Sequence, residues 1–143
     1  MAKQVIVTFP GGKKVDALVD GKLVHTDQPI RAGGNDSAPA PFDLFAAALG
    51  ACAGYFVLEF CQARSLPTAG ITLRQSIAFD DAHLVREIDL EIEVPKEFPE
   101  KYRVPLARAA EGCTVKKAIQ AQPRFVVRTV GAGQPQPGEG KAA

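Results

Sequence analysis

Three cysteines, Cys52, Cys61 and Cys113, hold the reactive potential of this 143-residue sequence. A thiolate can attack an O–O bond, and a second thiol can then resolve the resulting sulfenic acid as a disulfide. The attacking thiol needs a depressed pKa, which a nearby cation or a helix N-terminus supplies. Cys113 follows Gly112 and precedes Thr114-Val115-Lys116-Lys117, so its thiol falls at or near a helix start, where the dipole and free N–H groups favour thiolate. Cys52 lies between Gly50 and Gly54 in a long apolar run; small neighbours there let another backbone or a narrow substrate come close. By itself such a residue reads more often as a small core hydrophobe. Cys61 comes nine residues after Cys52, which on a helix puts it on the opposite face and roughly 13 Å along the axis. Those two cannot share a disulfide, and Cys61 reads as core.

The candidate cations are Arg31, in the loop before the apolar run, and Lys13 or Lys14 in the first hairpin. Each is by default a solvated surface charge. Asp43 could orient a cation, but nine residues before Cys52 it falls on the other helix face, where it complements the helix N-terminus instead. Glu59 shares the face of Cys52 about 10 Å away and reads equally as an interface or surface residue. His25 reads as a strand residue. Phe42, Phe45 and Phe56 could line an apolar substrate pocket. With two histidines and neither CxxC nor HExxH, the spacing of a zinc site is missing and no metal is predicted.

These residues need positioning elements, and hydrophobic periodicity supplies them. Val5, Val7 and Phe9 alternate, Gly11-Gly12 turns the chain into Val15, Ala17 and Val19, and Asp20-Gly21 turns it again into Leu23, Val24 and His25. That pattern predicts a three-strand meander. Residues 26–40 are rich in Gly, Pro, Asn, Asp and Ser, the composition of a long, flexible, functional loop. Pro41 opens and Pro67 stops an apolar stretch, predicting a helix over about 42–64. Its residues Leu44 to Leu58 carry no charge, so the helix must be central. The run is shorter than the roughly 20 residues that cross a bilayer, and a buried helix is favoured over a membrane span. Residues 71–79 and 85–94 alternate around an Asp-Asp-Ala-His turn and predict a long hairpin. A helix is expected from about Val104, kinked or started by Pro105, with a short helix after Cys113. Arg124 to Val130 reads as a final strand, and 131–143 as a disordered tail.

The sum is an α+β domain over 1–130. Seventeen basic and sixteen acidic residues give a net charge of +1, which leaves no excess field for nucleic acid or anionic lipid. The N-terminus has no apolar secretory signal. An odd number of cysteines suits catalytic thiols in a reducing compartment better than structural bridges, so a cytoplasmic protein is expected. An apolar helix in so small a domain is hard to cover with one sheet, so its open side is expected to pack on a second copy.

The stretch AGGNDSAPAPFDLFAAALGACAGYFV resembles a signature of the OsmC/Ohr family, in which a Gly-rich loop and a Pro lead into a buried helix with the peroxidatic Cys. LARAAEGCTVKKAI resembles that family's second signature. The resemblance spans about 25–130. It implies an intertwined homodimer with active sites at the subunit interface, a peroxidatic Cys52 and a resolving Cys113. It further implies reduction of organic hydroperoxides, recycling by a dithiol or lipoyl reductant, and no cofactor. The well-studied peroxidases of the family carry Glu directly after the Pro, where this sequence has Phe42, with Asp43 next. Their catalytic Arg lies in the N-terminal hairpin, where Lys13 is the nearest match; Lys lacks Arg's bidentate fork. Two functions therefore compete: a thiol peroxidase, and a non-enzymatic dimer that keeps an apolar ligand pocket. A third reading leaves the cysteines packed and inert.

Overall fold

Asp20 and Gly21 both have positive φ, 49° and 75°, the backbone that a tight two-residue hairpin turn requires. They join β2 (Lys14–Val19) to β3 (Lys22–Thr26), and β1 (Val5–Gly11) pairs on the other side of β2, so the antiparallel order is β1-β2-β3. The computed structural model describes residues 3–133; of the expected tail, 134–143 lie outside the described residues.

The loop that follows is ordered by one carboxylate. Asp27 is buried and accepts hydrogen bonds from the N–H groups of Gln28 (2.8 Å), Asn35 (3.2 Å) and Ser37 (3.1 Å) and from the Ser37 hydroxyl (2.7 Å). The Ser37 donors, above all the hydroxyl, hold its pKa down at about 2. A Cβ at Gly34 would sit 1.9 Å from the Gln28 carbonyl oxygen, so only glycine fits where the loop folds back on itself. The flexibility expected here is thus replaced by a network that the Gly, Asn and Ser composition serves.

Pro41 occupies the first turn of α1 (Pro41–Gln62), where its missing N–H costs nothing. Then come β4 (Thr72–Phe79) and β5 (Val85–Glu93), an antiparallel hairpin, followed by α2 (Arg103–Ala110) and α3 (Thr114–Gln120). A 3₁₀ turn at Glu100–Tyr102 leads into α2, and Pro105 lies in its first turn, where proline is tolerated.

The core is one face of α1 (Ala53, Val57, Phe60, Cys61) closed by Phe98, Leu106 and Ala110, with Leu73, Leu90 and Ile92 of the hairpin against it. Leu106 is 1% exposed, so truncation to alanine should cost about 2–5 kcal/mol. By length and composition alone, α1 could cross a membrane; its packed face is instead the centre of this core. Its other side leaves Tyr55 and Leu58 open, and β1 to β3 make no substantial contact with the helices. Val5, Ile6 and Val7 are each about half exposed, so alternation in β1 buries neither face.

One predicted element is absent. Residues 124–130 join no ladder, and Phe125 and Val127 are 87% and 94% exposed. Alternating apolar residues make a strand only beside a free edge, and this protomer brings none of its own edges to that segment.

Candidate active site

Two cysteines from distant parts of the sequence meet where α3 begins. Helix α2 ends at Ala110, and the chain turns through Gly112, where a Cβ would lie 3.1 Å from both the Ala109 carbonyl oxygen and the Phe56 ring. This close approach to α1 leaves little room for a side chain at Gly112, and it delivers Cys113 against the helix that carries Cys52. Cys113 is the N-cap of α3: its sulfur accepts the Lys116 N–H at 3.3 Å and is 2% exposed. Its single S–H can turn toward the Leu49 carbonyl oxygen, 3.9 Å away, or toward the sulfur of Cys52.

Cys52 is half-buried on α1. The Val115 N–H donates to its sulfur and is the largest influence on it; the Cys113 thiol and the Thr114 N–H donate too. Together they outweigh burial and hold the Cys52 thiol below its ordinary pKa, because hydrogen bonds to the charged form favour it. Sequence reasoning credited the start of α3 to Cys113. The structure gives Cys113 the capping bond and turns the first two N–H groups of the helix onto Cys52. The Thr-Val-Lys-Lys signal was visible, but which sulfur it serves depends on how α3 docks on α1.

The three cysteines are free thiols. Cys61 is fully buried, and desolvation raises its pKa against a smaller lowering by Arg64, so the expectation that it is a core residue agrees with its surroundings.

The other expected residues are not gathered around Cys52. The groups acting on its thiol are neutral donors and include no cation. Asp43 accepts the Ala40 N–H at 3.2 Å and so closes the N-terminus of α1, as its helix face suggests. Lys13 leans over the Gly-rich loop, with its Cε 3.6 Å from where a Cβ on Gly33 would stand. Arg31 is exposed in the 3₁₀ turn Ile30–Ala32. His25 lies on β3 and pairs across the strands with Asp16, Nδ1 to Oδ2 at 3.0 Å.

The phenylalanines split into two groups. Phe42 packs on Phe45 and Phe79, with ring centroids 5.4 and 5.6 Å apart, while Phe56 packs on Tyr55 and Gly112. None of the three lines a cavity of about 700 Å³ between the β4–β5 hairpin and the three helices. Leu49, Ala53, Leu106, Ala110 and Cys113 form its buried floor, and Leu90 and Ile92 part of its wall. Gln75 adds a polar group to that wall; its amide donates to the Ala46 carbonyl oxygen at 3.0 Å. The cavity was not foreseen, since it depends on the inner face of β5 standing off from α2 and α3. Among the described residues no cluster of His, Cys, Asp or Glu could hold a metal ion.

The α+β chain thus sets a thiol of lowered pKa beside a second thiol at a helix junction. The profile of the OsmC-like protein family matches residues 33–128, and the chain belongs to that family. Solved structures similar to it agree in fold. A Psychrobacter arcticus protein, provisionally described as an osmotic stress induced and detoxification response protein, superposes with a TM-score of 0.69 at 24% identity, over 82% of this chain and 88% of that one. An OsmC-like protein of Mycoplasma pneumoniae gives 0.67 at 13% identity, over 84% and 88%. An organic hydroperoxide resistance protein of Elizabethkingia anophelis gives 0.56 at 21%, over 84% and 90%. No curated protein matches the sequence.

Proposed function

We propose that this protein reduces small organic hydroperoxides, with Cys52 as the attacking thiol and Cys113 as the resolving one. The observation that carries the reading is the pair itself: a half-buried thiol with a lowered pKa, in hydrogen-bonding reach of a second, buried thiol. The Cys52 thiolate attacks the terminal peroxide oxygen, the O–O bond breaks, and the alkoxide leaves and takes a proton to become the alcohol. Cys52 is now a sulfenic acid. The Cys113 thiolate attacks its sulfur and expels hydroxide, which leaves as water after protonation, and a Cys52–Cys113 disulfide remains. A dithiol or lipoyl-type reductant returns both thiols. No cofactor enters these steps. The similarity to the Elizabethkingia anophelis organic hydroperoxide resistance protein favours the same chemistry.

The protein acts as a soluble cytoplasmic homodimer. The open face of α1, the half-exposed β1 and the unpaired segment 124–130 are apolar surfaces that a second copy would cover. A second copy could also bring Lys13 or Arg31 toward Cys52, and would decide whether Phe42, Phe45 and Phe56 enclose the peroxide's alkyl group. Asp43, occupied with its capping bond, would then act by fixing the start of α1.

The test is consumption of cumene hydroperoxide with dihydrolipoic acid as the electron source. The wild-type protein should turn over, and Cys52→Ser should not. The competing reading, an apolar-ligand binding protein, is favoured by the cavity of about 700 Å³; it requires a hydrophobic probe to be retained by a protein that shows no turnover.

A further inference from the structure

The two sulfurs of the pair face different surroundings. Cys113 forms part of the floor of the cavity between the β4–β5 hairpin and the helices, and Cys52 does not line it. Phe45 and Phe56 lie seven residues before and four residues after Cys52, so helical spacing puts them on its own side of α1. An apolar molecule in the cavity therefore meets Cys113, with Cys52 behind it. Exposed residues at the rim, among them Ala107, Glu111 and Ile119, leave the cavity accessible from solvent.

We propose that this cavity admits the reductant, a small dithiol on an apolar chain, which attacks the Cys113 sulfur of the Cys52–Cys113 disulfide, while peroxide reaches Cys52 from the Phe45 and Phe56 side. The inference rests on the peroxidase reading for its biological setting. The attacking thiol gives up its proton, and its sulfur bonds to Cys113 as the Cys52–Cys113 bond breaks. Cys52 departs as thiolate, the state that the N–H groups of Val115 and Thr114 stabilise; a thiol of lower pKa leaves faster. The reductant's second thiolate then attacks its own first sulfur and expels Cys113 as thiolate. The product is a cyclic disulfide: two electrons have passed to the protein, and the two protons released have been taken up by the cysteines. Lys116, also lining the cavity, supplies positive charge that favours the attacking group as thiolate.

The disulfide for the test is made with diamide, so peroxide turnover is not required. Benzyl mercaptan, a monothiol added at one equivalent, has no second thiol to close on its own sulfur, so the mixed disulfide of the first exchange accumulates; the reaction is quenched early with N-ethylmaleimide and the peptides are weighed. The expected product carries the benzylthio group on Cys113 and maleimide on Cys52. In parallel, Ala107→Trp and Ile119→Trp fill the rim from two sides without touching the core. Each should slow reduction by dihydrolipoic acid at least tenfold, and leave oxidation of the reduced protein by one equivalent of hydroperoxide within twofold. An adduct on Cys52, or unchanged reduction in both tryptophan variants, overturns the proposal. Failure of diamide to make the disulfide overturns it as well. A disulfide made by diamide but not by peroxide would defeat the peroxidase reading and leave this one standing.

Discussion

Cys52 and Cys61 lie nine residues apart on one helix, yet the fold makes them opposite kinds of thiol. Cys61 faces the core, fully buried, and desolvation raises its pKa. Cys52 faces the start of α3, where two N–H groups and a neighbouring thiol lower its pKa against the same penalty. Their own helix contributes little to the difference. What decides it is which element covers each face: α2 and Phe98 close over one, and the α2–α3 junction, admitted by Gly112, docks on the other.

The strongest way to break this comparison is to remove each thiol in turn. Cys52→Ser should lower hydroperoxide consumption by about 100-fold or more, while Cys61→Ala should keep the activity and lose about 1–2 kcal/mol of stability in a urea melt, the scale of a small core cavity. Gly112→Ala comes next. Its Cβ would press on the Phe56 ring and the Ala109 carbonyl oxygen at 3.1 Å, and such overpacking costs about 1–3 kcal/mol. Because the strain lifts the α2–α3 junction off α1, activity should fall together with the melting temperature.

A third variant changes only the hydrogen bonding. Thiolate is the reactive form, so alkylation of Cys52 by iodoacetamide should rise with pH and level off earlier than for an ordinary thiol, because its pKa is lowered. Val115→Pro deletes the largest donor at a first-turn position, where proline is tolerated, and should move that profile to higher pH. Cys61 should stay unmodified in the native protein across the same range. The smallest effect is expected at the other end of α1, where the Arg64 guanidinium lies 3.7 Å from the centroid of the Phe60 ring. Arg64→Ala should cost about 0.5–1 kcal/mol with hydroperoxide consumption unchanged.

Much of this arrangement was legible in the sequence, because it was written in local patterns. Pro41 and the uncharged run foretold a central α1, Asp20-Gly21 the turn after β2, and the nine-residue spacing the separation of Cys61 from Cys52. What the sequence leaves open depends on partners distant in the chain. Residues 124–130 alternate like a strand, but alternation does not supply an edge. Lys13 and Arg31 have the right charge, but nothing in their neighbourhood says where a hairpin or a turn will aim them. The loop of residues 26–40 reads as flexible by composition, yet a single buried carboxylate, Asp27, gathers donors up to ten residues ahead of it. The cavity beside Cys113 is a gap between elements, and a gap has no sequence signature.

The most direct test of the central claim, that Cys52 and Cys113 act as one redox pair, is mass spectrometry after one equivalent of cumene hydroperoxide. Wild type should show a Cys52–Cys113 disulfide, and Cys113→Ser should trap a sulfenic acid, tagged by dimedone, on Cys52. Oxidation spread evenly over the three cysteines, or none beyond that of a free thiol in solution, would contradict the account.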